Sequence, residues 1–490
     1  MSMQYDILLR NGHIVDPANQ VDKVSDIAIS EGRVIDVGVG LPEDKAQETF
    51  NVQGQVVIPG IIDPHVHLTK WLKCENGHRM LAQAGVTTAI DAGGPMDEFN
   101  EVLMRHGSGL NVGCLNVMWP GRTVSNNAPS RAEIEGFVEK SSRDGALGIK
   151  ILGVPFPLTP SATNEVIRCA DERGIHLTFH VGTTETSSSI EGLREAMVLA
   201  DGLPVHITHV NAYCRGRILS PLEETLEALG LLAQNHNIAS DSYIYPLNAG
   251  PGRCLEGVPE NSTTKTCLQM GGYDPTEKGL GKAILDGRAW VSLELAGENK
   301  FMSGERAYEA WKQAATDTIV GFAVNSMSSM LLLAIEKDQV GEFVVDAFCS
   351  DGGGIPRNVI VPNGIALVRL GALSWPEFVR KASLAPALLF GIEGKGHLGI
   401  GADADITVID PEIGRATMGI VNGRVNMFRG LIVGRKGTLL TTAWGKATAI
   451  ELGLDYRVID SSRSLAYKRQ QQLHPAERVS AQGCSDADIE

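Results

Sequence analysis

The sequence predicts an α/β fold: a (β/α)8 TIM-like barrel with a small β-sandwich domain built from the N- and C-terminal segments. From Ile61 to about Gly391, short β-rich runs alternate with longer helical stretches. Repetition of strand, helix and strand favours a parallel sheet, most simply one closed into a barrel. The two ends of the chain contain only short alternating runs with Asn-Gly, Glu-Gly and Gln-Gly turns, which predict antiparallel strands.

The barrel region contains nine strand candidates for eight positions, so one of them is an extra hairpin or is assigned wrongly. Helices are predicted between them, for example in SRAEIEGFVEKSSRDG and SATNEVIRCADERG. The segment Pro251–Gly287 interrupts the alternation and is interpreted as an insertion. The strand candidates are GIIDPHVH, TTAIDAG, GCLNVMW, GALGIKILG, IHLTFHVG, LPVHITHV, IASDSYIY, WVSLELA and DAFCSDGG.

The distribution of predicted strands and helices divides the chain into three parts. Residues 1–58 and 396–446 form the composite β domain, and residues 59–395 form the barrel. Residues 447–490 form a charged C-terminal tail that ends in QQQLHPAERVSAQGCSDADIE and is expected to be part helix and part disordered.

The charge and composition of the chain exclude several classes of binding partner. The formal net charge of −15 argues against nucleic acid and anionic membranes. No basic segment followed by an apolar stretch opens the chain, and the most apolar segment, Met327–Ile335, is too short to span a bilayer. Eight scattered cysteines without a CxxC pair indicate reduced thiols. We therefore expect a cytoplasmic homo-oligomer that acts on a small molecule.

The clearest chemical motif is Asp63-Pro64-His65-Val66-His67, at the end of an apolar strand. Residues two apart on a strand point to the same side, so His65 and His67 are expected to direct two imidazoles at one point. Barrel enzymes keep their active sites at the carboxyl ends of the strands, and imidazole is a ligand for zinc and related metals. The motif predicts a metal site, although two histidines on a half-buried strand are also compatible with it.

Lys150 lies inside the apolar run Gly148-Ile149-Lys150-Ile151-Leu152. A charged lysine is costly there unless its charge is removed or paired. Carbamylation by CO2, which makes the side chain a carboxylate that bridges two metals, is one solution. A lysine that reaches out of the strand end or pairs with an acid is the other.

Three further side chains close β-rich runs. His180 ends LTFHVG and His209 ends VHITHV, and we favour them over His176 and His206, which lie earlier in the same runs. Asp351 follows DAFCS and precedes three glycines, where a carboxylate is able to accept a proton from metal-bound water. A turn-capping aspartate is equally compatible with that position.

The whole set resembles the amidohydrolase superfamily, in the branch of hydantoinases, dihydroorotases and D-aminoacylases. The similarity covers nearly the whole chain and includes GRVIDVG, GQVVIPGIIDPHVHL and GHLGIGADADITVIDP. Within this branch, the segments FHVGTTE and SDGGGIPRN are most similar to D-aminoacylases. Dihydroorotases have an arginine soon after the HxH motif, whereas this chain has Leu68-Thr69-Lys70.

The resemblance implies a set of roles for these residues. His65 and His67 would hold a first metal, His180 and His209 a second, and a carbamate on Lys150 would bridge two divalent ions, expected to be Zn²⁺. Asp351 would contact the first metal and act as the general base. The implied reaction is hydrolysis of a C–N bond in a cyclic amide, a ureide or an N-acyl amino acid by a metal-bridging hydroxide.

Substrate-binding candidates follow from their positions in the chain. Tyr213 and Arg215 follow His209, Tyr243 follows Asp241, and Arg253 ends a glycine-rich stretch after Pro246. An arginine in such a loop is able to bind a substrate carboxylate, and Arg253 is our first choice.

Two alternatives stay open. A deaminase of a heterocyclic base with a single metal would use the same fold, and Lys150 argues against it. A non-catalytic, hydantoinase-like scaffold would use the barrel only for assembly, and such a protein would not need the predicted ligand set.

Overall fold

A computed structural model of the chain describes residues 4–154 and 156–473. Both ends of the chain contribute to one nine-stranded sheet, in which Val56–Pro59 pairs antiparallel with Ile406–Asp410. Aliphatic side chains from both ends form the buried core of this sheet. Its strands are Tyr5–Asp16, Val21–Ser30, Arg33–Gly38, Ala46–Asn51, Val56–Pro59, Ile406–Asp410, Arg415–Val421, Arg424–Phe428 and Leu431–Ile432.

The central region forms the predicted barrel. Its eighth position is a split strand: Ala347–Phe348 pairs with the seventh strand and Gly352–Gly353 pairs with the first. This segment joins the two ends of the parallel sheet, and the predicted fold class is confirmed. The first seven strands are Ile61–His67, Val86–Asp91, Ser108–Met118, Gly148–Ile151, His176–Phe179, Val205–Ile207 and Ile238–Ser242.

Helices alternate with these strands, and both of the helices named from the sequence are present. Ser130 begins one of them by accepting a hydrogen bond from the backbone N–H of Glu133, and Thr159 begins the other through Ala162. No helix in the described ranges combines the length and apolar character needed to cross a bilayer. The helices are Gly77–Gln83, Met96–His106, Arg131–Arg143, Pro160–Glu172, Ile190–Ala200, Pro221–Gln234, Met327–Ile335, Ile360–Arg369, Trp375–Val379 and Ala385–Phe390.

The ninth strand candidate, WVSLELA, belongs to the insertion. Ala289–Leu295 pairs antiparallel with both neighbours in a four-stranded sheet, so its alternating pattern reflects a sheet with one buried face. The insertion is longer than predicted because Ile319–Ala323 returns to pair with Leu247–Pro251. Its other elements are strands Cys254–Leu255, Val258–Pro259 and Glu298–Met302 and helices Ser262–Met270, Glu277–Leu285 and Glu305–Gln313.

The C-terminal part returns to the barrel. Lys436–Thr441 pairs parallel with the third barrel strand and with Asp455–Val458. Helices Lys446–Glu451 and Leu465–Leu473 follow in the predicted tail. Residues 474–490 of this tail, on which part of the prediction falls, lie outside the described residues, and the domain boundaries stay a prediction.

The motif Gly-Ala-Asp-Ala-Asp connects the β domain to the barrel. Lys395 is 3% exposed, and its Nζ lies 2.5 Å from Asp405 Oδ2 and 3.1 Å from Asp403 Oδ2. Asn111 of the third barrel strand donates to Asp405, and Arg33 of the β domain pairs with Asp403. Buried carboxylates require such partners, so this cluster fixes the β domain against the barrel.

Candidate active site

The first barrel strand places two imidazoles at its carboxyl end. His65 is fully buried and His67 is 8% exposed. Asp351 lies between the two halves of the eighth strand, and its Oδ1 is 3.0 Å from His67 Nε2 and 3.6 Å from His65 Nε2. Ligand atoms of these three residues all lie within 4.8 Å of one another. Adjacent strands one and eight therefore bring an N, N, O donor set together.

Lys150 points to the same place from the fourth strand. Its Nζ lies 3.0 Å from His65 Nε2, and the residue is 1% exposed. Burial lowers the pKa of Lys150 to about 8, although Asp351 and Asp241 act in the opposite direction. Among the described residues no carboxylate lies within 4.0 Å of this amine. A lysine of this kind reaches the neutral form, which is the form that reacts with CO2.

His180 and His209 complete the group from the fifth and sixth strands. The ring centroids of His180 and His209 are 4.6 Å apart, and those of His209 and His65 are 4.8 Å apart. Burial lowers the pKa of His180 to about 3 and that of His209 well below its usual value. Neutral imidazole is the form that binds metals.

Two residues of this group have left-handed backbone conformations. His209 has φ 36° and Asp351 has φ 50°. A non-glycine residue in this region carries a local energetic cost, and such residues cluster at functional sites. The observation supports a functional role for both strand ends.

The side chains fit a divalent metal centre. His67 Nδ1 and His209 Nδ1 are buried without a hydrogen-bond partner in the described part of the chain. Imidazole nitrogens with carboxylate oxygens are donors that zinc and its neighbours accept. The structure thus brings all six predicted ligands, His65, His67, Lys150, His180, His209 and Asp351, to one end of the barrel.

Sequence reasoning missed Arg357, which holds Asp351. Arg357 is 2% exposed, and its Nη2 lies 2.5 Å from Asp351 Oδ2 while its Nε donates to the Asp351 carbonyl. Burial raises the pKa of Asp351, but Arg357 and the hydrogen bond with His67 outweigh it and hold that pKa well below its usual value. The carboxylate is therefore ionised and fixed in direction.

Asp91, at the end of the second strand, was also missed. Its carboxylate accepts hydrogen bonds from the backbone N–H groups of Leu68, Gly93 and Gly94. A Cβ at Gly93 would lie 3.0 Å from His67 Nδ1, so glycine leaves room for the imidazole. The signal was available, because Asp91-Ala-Gly-Gly repeats the pattern of an aspartate at a strand end before glycines, from which Asp351 was inferred.

Asp241 supports the histidines from the seventh strand. Its carboxylate accepts hydrogen bonds from the backbone N–H of His209 (2.5 Å) and from Thr208 Oγ1 (3.2 Å). Thr208 Oγ1 in turn hydrogen-bonds to His65 Nδ1, and His206 Nε2 lies 2.8 Å from Asp241. Partners of this kind orient metal-ligating imidazoles. Asp241 thereby supports His65 and His209 together.

We expect Asp241→Asn to lower metal affinity by roughly 10- to 100-fold, because the amide offers one acceptor where two are used. The measurement is competition for metal against a calibrated chelator. Asp346→Asn is the matched control, because Asp346 is also a buried aspartate but pairs with Arg469 and Ser240. It should change stability and leave metal affinity unchanged. Unaltered metal affinity in Asp241→Asn would refute the supporting role.

The predicted substrate-binding residues divide into two groups. Arg215 lines the pocket above the histidines. Tyr213 and Tyr243 are buried, and their hydroxyls contact Thr208 O and the two arginines Arg215 and Arg357, respectively. Both tyrosines lie behind the pocket surface, where they support the residues that line it, and neither lines the pocket itself.

Arg253 does not reach the pocket, which corrects our first choice. Its side chain is 58% exposed and lies 3.0 Å from Glu260. The chain turns back after Gly252 into a short hairpin of Cys254–Leu255 and Val258–Pro259. Gly250 and Pro251 of this stretch line the pocket, but the chain turns away from it before Arg253.

Comparison with known proteins finds similar sequences and similar folds. No family model matches the chain. The dihydroorotase of Geobacter metallireducens is 22% identical over 436 residues, which cover 83% of this chain and 90% of that protein. An allantoinase of Desulfitobacterium hafniense is 36% identical over 92 residues, or 18% of this chain and 20% of its own length.

Solved structures share the fold. N-acyl-D-glutamate deacylase from Bordetella bronchiseptica, complexed with zinc and a phosphonate inhibitor, superimposes with a TM-score of 0.66 at 17% identity, over 88% of this chain and 98% of that one. A D-aminoacylase described by its binuclear metal centre has a TM-score of 0.64 at 17% identity, over 88% and 99%. Dihydropyrimidinase from Brevibacillus agri has a TM-score of 0.60 at 15% identity, over 93% and 98%.

The fold is one that metal-dependent hydrolases of the barrel type share, and the side chains at the carboxyl end of the barrel would fit a divalent metal. The chain is similar in sequence to dihydroorotases and in fold to D-aminoacylases and dihydropyrimidinases, which are amidohydrolases.

Proposed function

We propose that the protein hydrolyses the C–N bond of a cyclic amide, a ureide or an N-acyl amino acid. The observation that carries this proposal is the convergence of four histidines, one buried lysine and one arginine-held carboxylate at the carboxyl ends of barrel strands. The non-catalytic scaffold would not require this convergence.

His65, His67 and Asp351 would hold one divalent ion, and His180 and His209 a second. Lys150 would connect them after its neutral amine adds CO2 and releases a proton to form a carbamate. When bound, two such ions, most simply Zn²⁺, lower the pKa of water and polarise the amide carbonyl. The buried position of Lys150 favours the neutral amine on which carbamate formation depends.

Asp351 would accept the proton that the attacking water loses. Water adds to the amide carbon, the C–N bond breaks, and Asp351 returns the proton to the leaving nitrogen. Arg357 keeps the carboxylate ionised and directed at the histidines before the proton arrives. General acid–base chemistry of this kind contributes about 10²- to 10⁴-fold to a rate.

A centre with one ion is the second candidate. The ligand atoms of His65, His67 and Asp351 by themselves lie within 4.8 Å of one another. The D-aminoacylase with the similar fold is described with one-metal activation and second-metal attenuation. A deaminase with one ion would use these three ligands and leave Lys150 unmodified.

Metal content distinguishes the two candidates. We expect active protein to contain about two divalent ions per chain, because a bridging carboxylate needs two ions to bridge. Elemental analysis should be combined with an activity screen on hydantoins, dihydropyrimidines, lactams and N-acyl amino acids. Full activity with one ion and an unmodified Lys150 in the mass spectrum would reject the binuclear proposal. Absence of both metal and hydrolysis would support the scaffold.

The remaining expectations are part of this proposal. The substrate is a small molecule, and the protein acts as a homo-oligomer in the cytoplasm. Size-exclusion chromatography with light scattering measures the oligomeric state.

A further inference from the structure

A loop after the sixth barrel strand carries two arginines into the pocket. Arg215 and Arg217 both line it, as do His180 and Ser188. Arg217 Nη1 donates to the carbonyl of Ser188, and the hydroxyl of Ser188 lies 2.9 Å from His180 Nε2. Both guanidinium groups are therefore close to the predicted reaction centre.

The loop that carries both arginines is held in one conformation by hydrogen bonds. Buried Glu224 accepts hydrogen bonds from the backbone N–H groups of Gly216 (2.6 Å), Ile218 (2.8 Å) and Leu219 (3.2 Å). Ser329 also donates to the Cys214 carbonyl. A carboxylate used in this way fixes the course of the backbone, so the arginines are presented from a fixed support.

Arg215 is oriented by neutral groups only. Its Nε donates to Asn325 Oδ1 at 2.7 Å, and its Nη2 donates to the hydroxyl of Tyr243 at 3.3 Å. Nη1 makes no hydrogen bond with the described residues. Asn325 itself donates to Tyr243 and to the Tyr245 carbonyl, so the polar frame around the guanidinium is complete without a carboxylate.

The charge on this side of the pocket is not compensated by the protein. Among residues 4–154 and 156–473, no acidic group lies within 4.0 Å of Arg215 or Arg217. Arg357, the third arginine of the pocket, is already paired with Asp351. In a chain of net charge −15, two uncompensated cations in one pocket indicate an anionic ligand.

Another part of the pocket wall is apolar. Trp71, Leu72 and Ile355 line it, and they pack together in one hydrophobic cluster. A Cβ at Gly93 would lie 3.0 Å from His67 Nδ1 and 3.6 Å from Trp71 Nε1, so this wall adjoins the first histidine pair. The pocket is thus cationic beside His180 and His209 and apolar beside His67.

From this polarity we infer that Arg215 and Arg217 form an anion subsite, and that the substrate is an amide with a carboxylate on one side of the scissile bond and an apolar group on the other. The inference rests on the proposed hydrolysis. Of the substrate classes left open, N-acyl amino acids with an apolar acyl group have both features. Unsubstituted dihydropyrimidines and hydantoins have neither.

The test uses a matched pair of compounds, racemic N-hexanoylalanine and racemic N-hexanoylalaninamide, which differ in the carboxylate. Hexanoate release is measured for the metal-loaded wild type and for Arg215→Gln, Arg217→Gln and Arg253→Gln. For the anionic compound we expect kcat/KM to fall roughly 10- to 100-fold in the first two variants, mainly through KM, as for loss of a charge-assisted hydrogen bond. The uncharged compound should change little, and Arg253→Gln should match wild type on both.

Equal losses on both compounds, or none on the anionic one, would overturn the subsite. Arg217 is exposed, so its variant is expected to fold even if Arg215→Gln does not. Calorimetric titration with N-hexanoylalanine tests the subsite independently of turnover. Binding that depends on the arginines without hydrolysis of any amide or ureide would refute the proposed function alone. Hydrolysis of dihydrouracil without dependence on either arginine would refute the subsite alone.

Discussion

Replacing Lys150 by alanine is expected to remove most of the bound metal and at least about 10²-fold of the activity, because the proposed carbamate bridges both ions. The truncated side chain leaves a space next to His65, from which Lys150 Nζ is 3.0 Å away in the intact protein. A short carboxylic acid should enter this space and supply the missing carboxylate. Added acetate or propionate is thus expected to restore part of the metal content and the activity. Elemental analysis and steady-state rates measure both.

Lys150→Met provides the matched control. Methionine fills the same buried space with an apolar chain, so the variant should fold and should respond neither to acetate nor to propionate. Normal activity in Lys150→Ala would show that the lysine is structural. Rescue of both variants by the acids would show that the acids act elsewhere.

Much of the candidate site was predictable because its residues obey local rules. The two-residue period of a strand predicts that His65 and His67 share one face, and they lie against the same oxygen of Asp351. Lys150 was identifiable because a charge inside an apolar run needs an explanation, and it is 1% exposed. Each inference needed only the residues on either side and the expectation of a barrel.

Two of the residues that were missed, Arg357 and Asp241, depend on a folded arrangement that the local sequence does not specify. Arg357 is six residues after Asp351, and its side chain is also held by the insertion, because Nη1 donates to the Leu247 carbonyl. Asp241 contacts His209 because the sixth and seventh strands pair with Val205 opposite Ile238. A register of this kind depends on packing across the whole sheet, which local sequence does not specify.

Two sequence patterns, WVSLELA and the glycine-rich stretch before Arg253, have partners that local rules do not give. WVSLELA has the period of a strand, but a period does not say which sheet the strand joins, and it pairs inside the insertion. Gly250, which precedes Arg253, lines the pocket, yet a tight hairpin that turns at Gly257 follows, and the Arg253 side chain pairs with Glu260. Local patterns therefore identify elements better than their partners.

Asp351→Asn is expected to lower turnover by about 10²- to 10⁴-fold, the usual contribution of a general base. The asparagine side chain has nearly the same size and is able to accept a hydrogen bond from Arg357. It has no negative charge and does not take up the proton of the attacking water. The measurement compares kcat, metal content and thermal unfolding with those of the wild type.

The buried ion pair makes a second variant necessary. Asp351→Asn leaves Arg357, which is 2% exposed, without its counter-ion. An uncompensated buried charge costs about 3–5 kcal/mol, so loss of activity from unfolding must be separated from loss of the base. The double variant Asp351→Asn/Arg357→Gln removes both charges and is expected to regain stability while staying inactive. If either folded, metal-loaded variant turned over at the wild-type rate, Asp351 would have no part in the proton transfer.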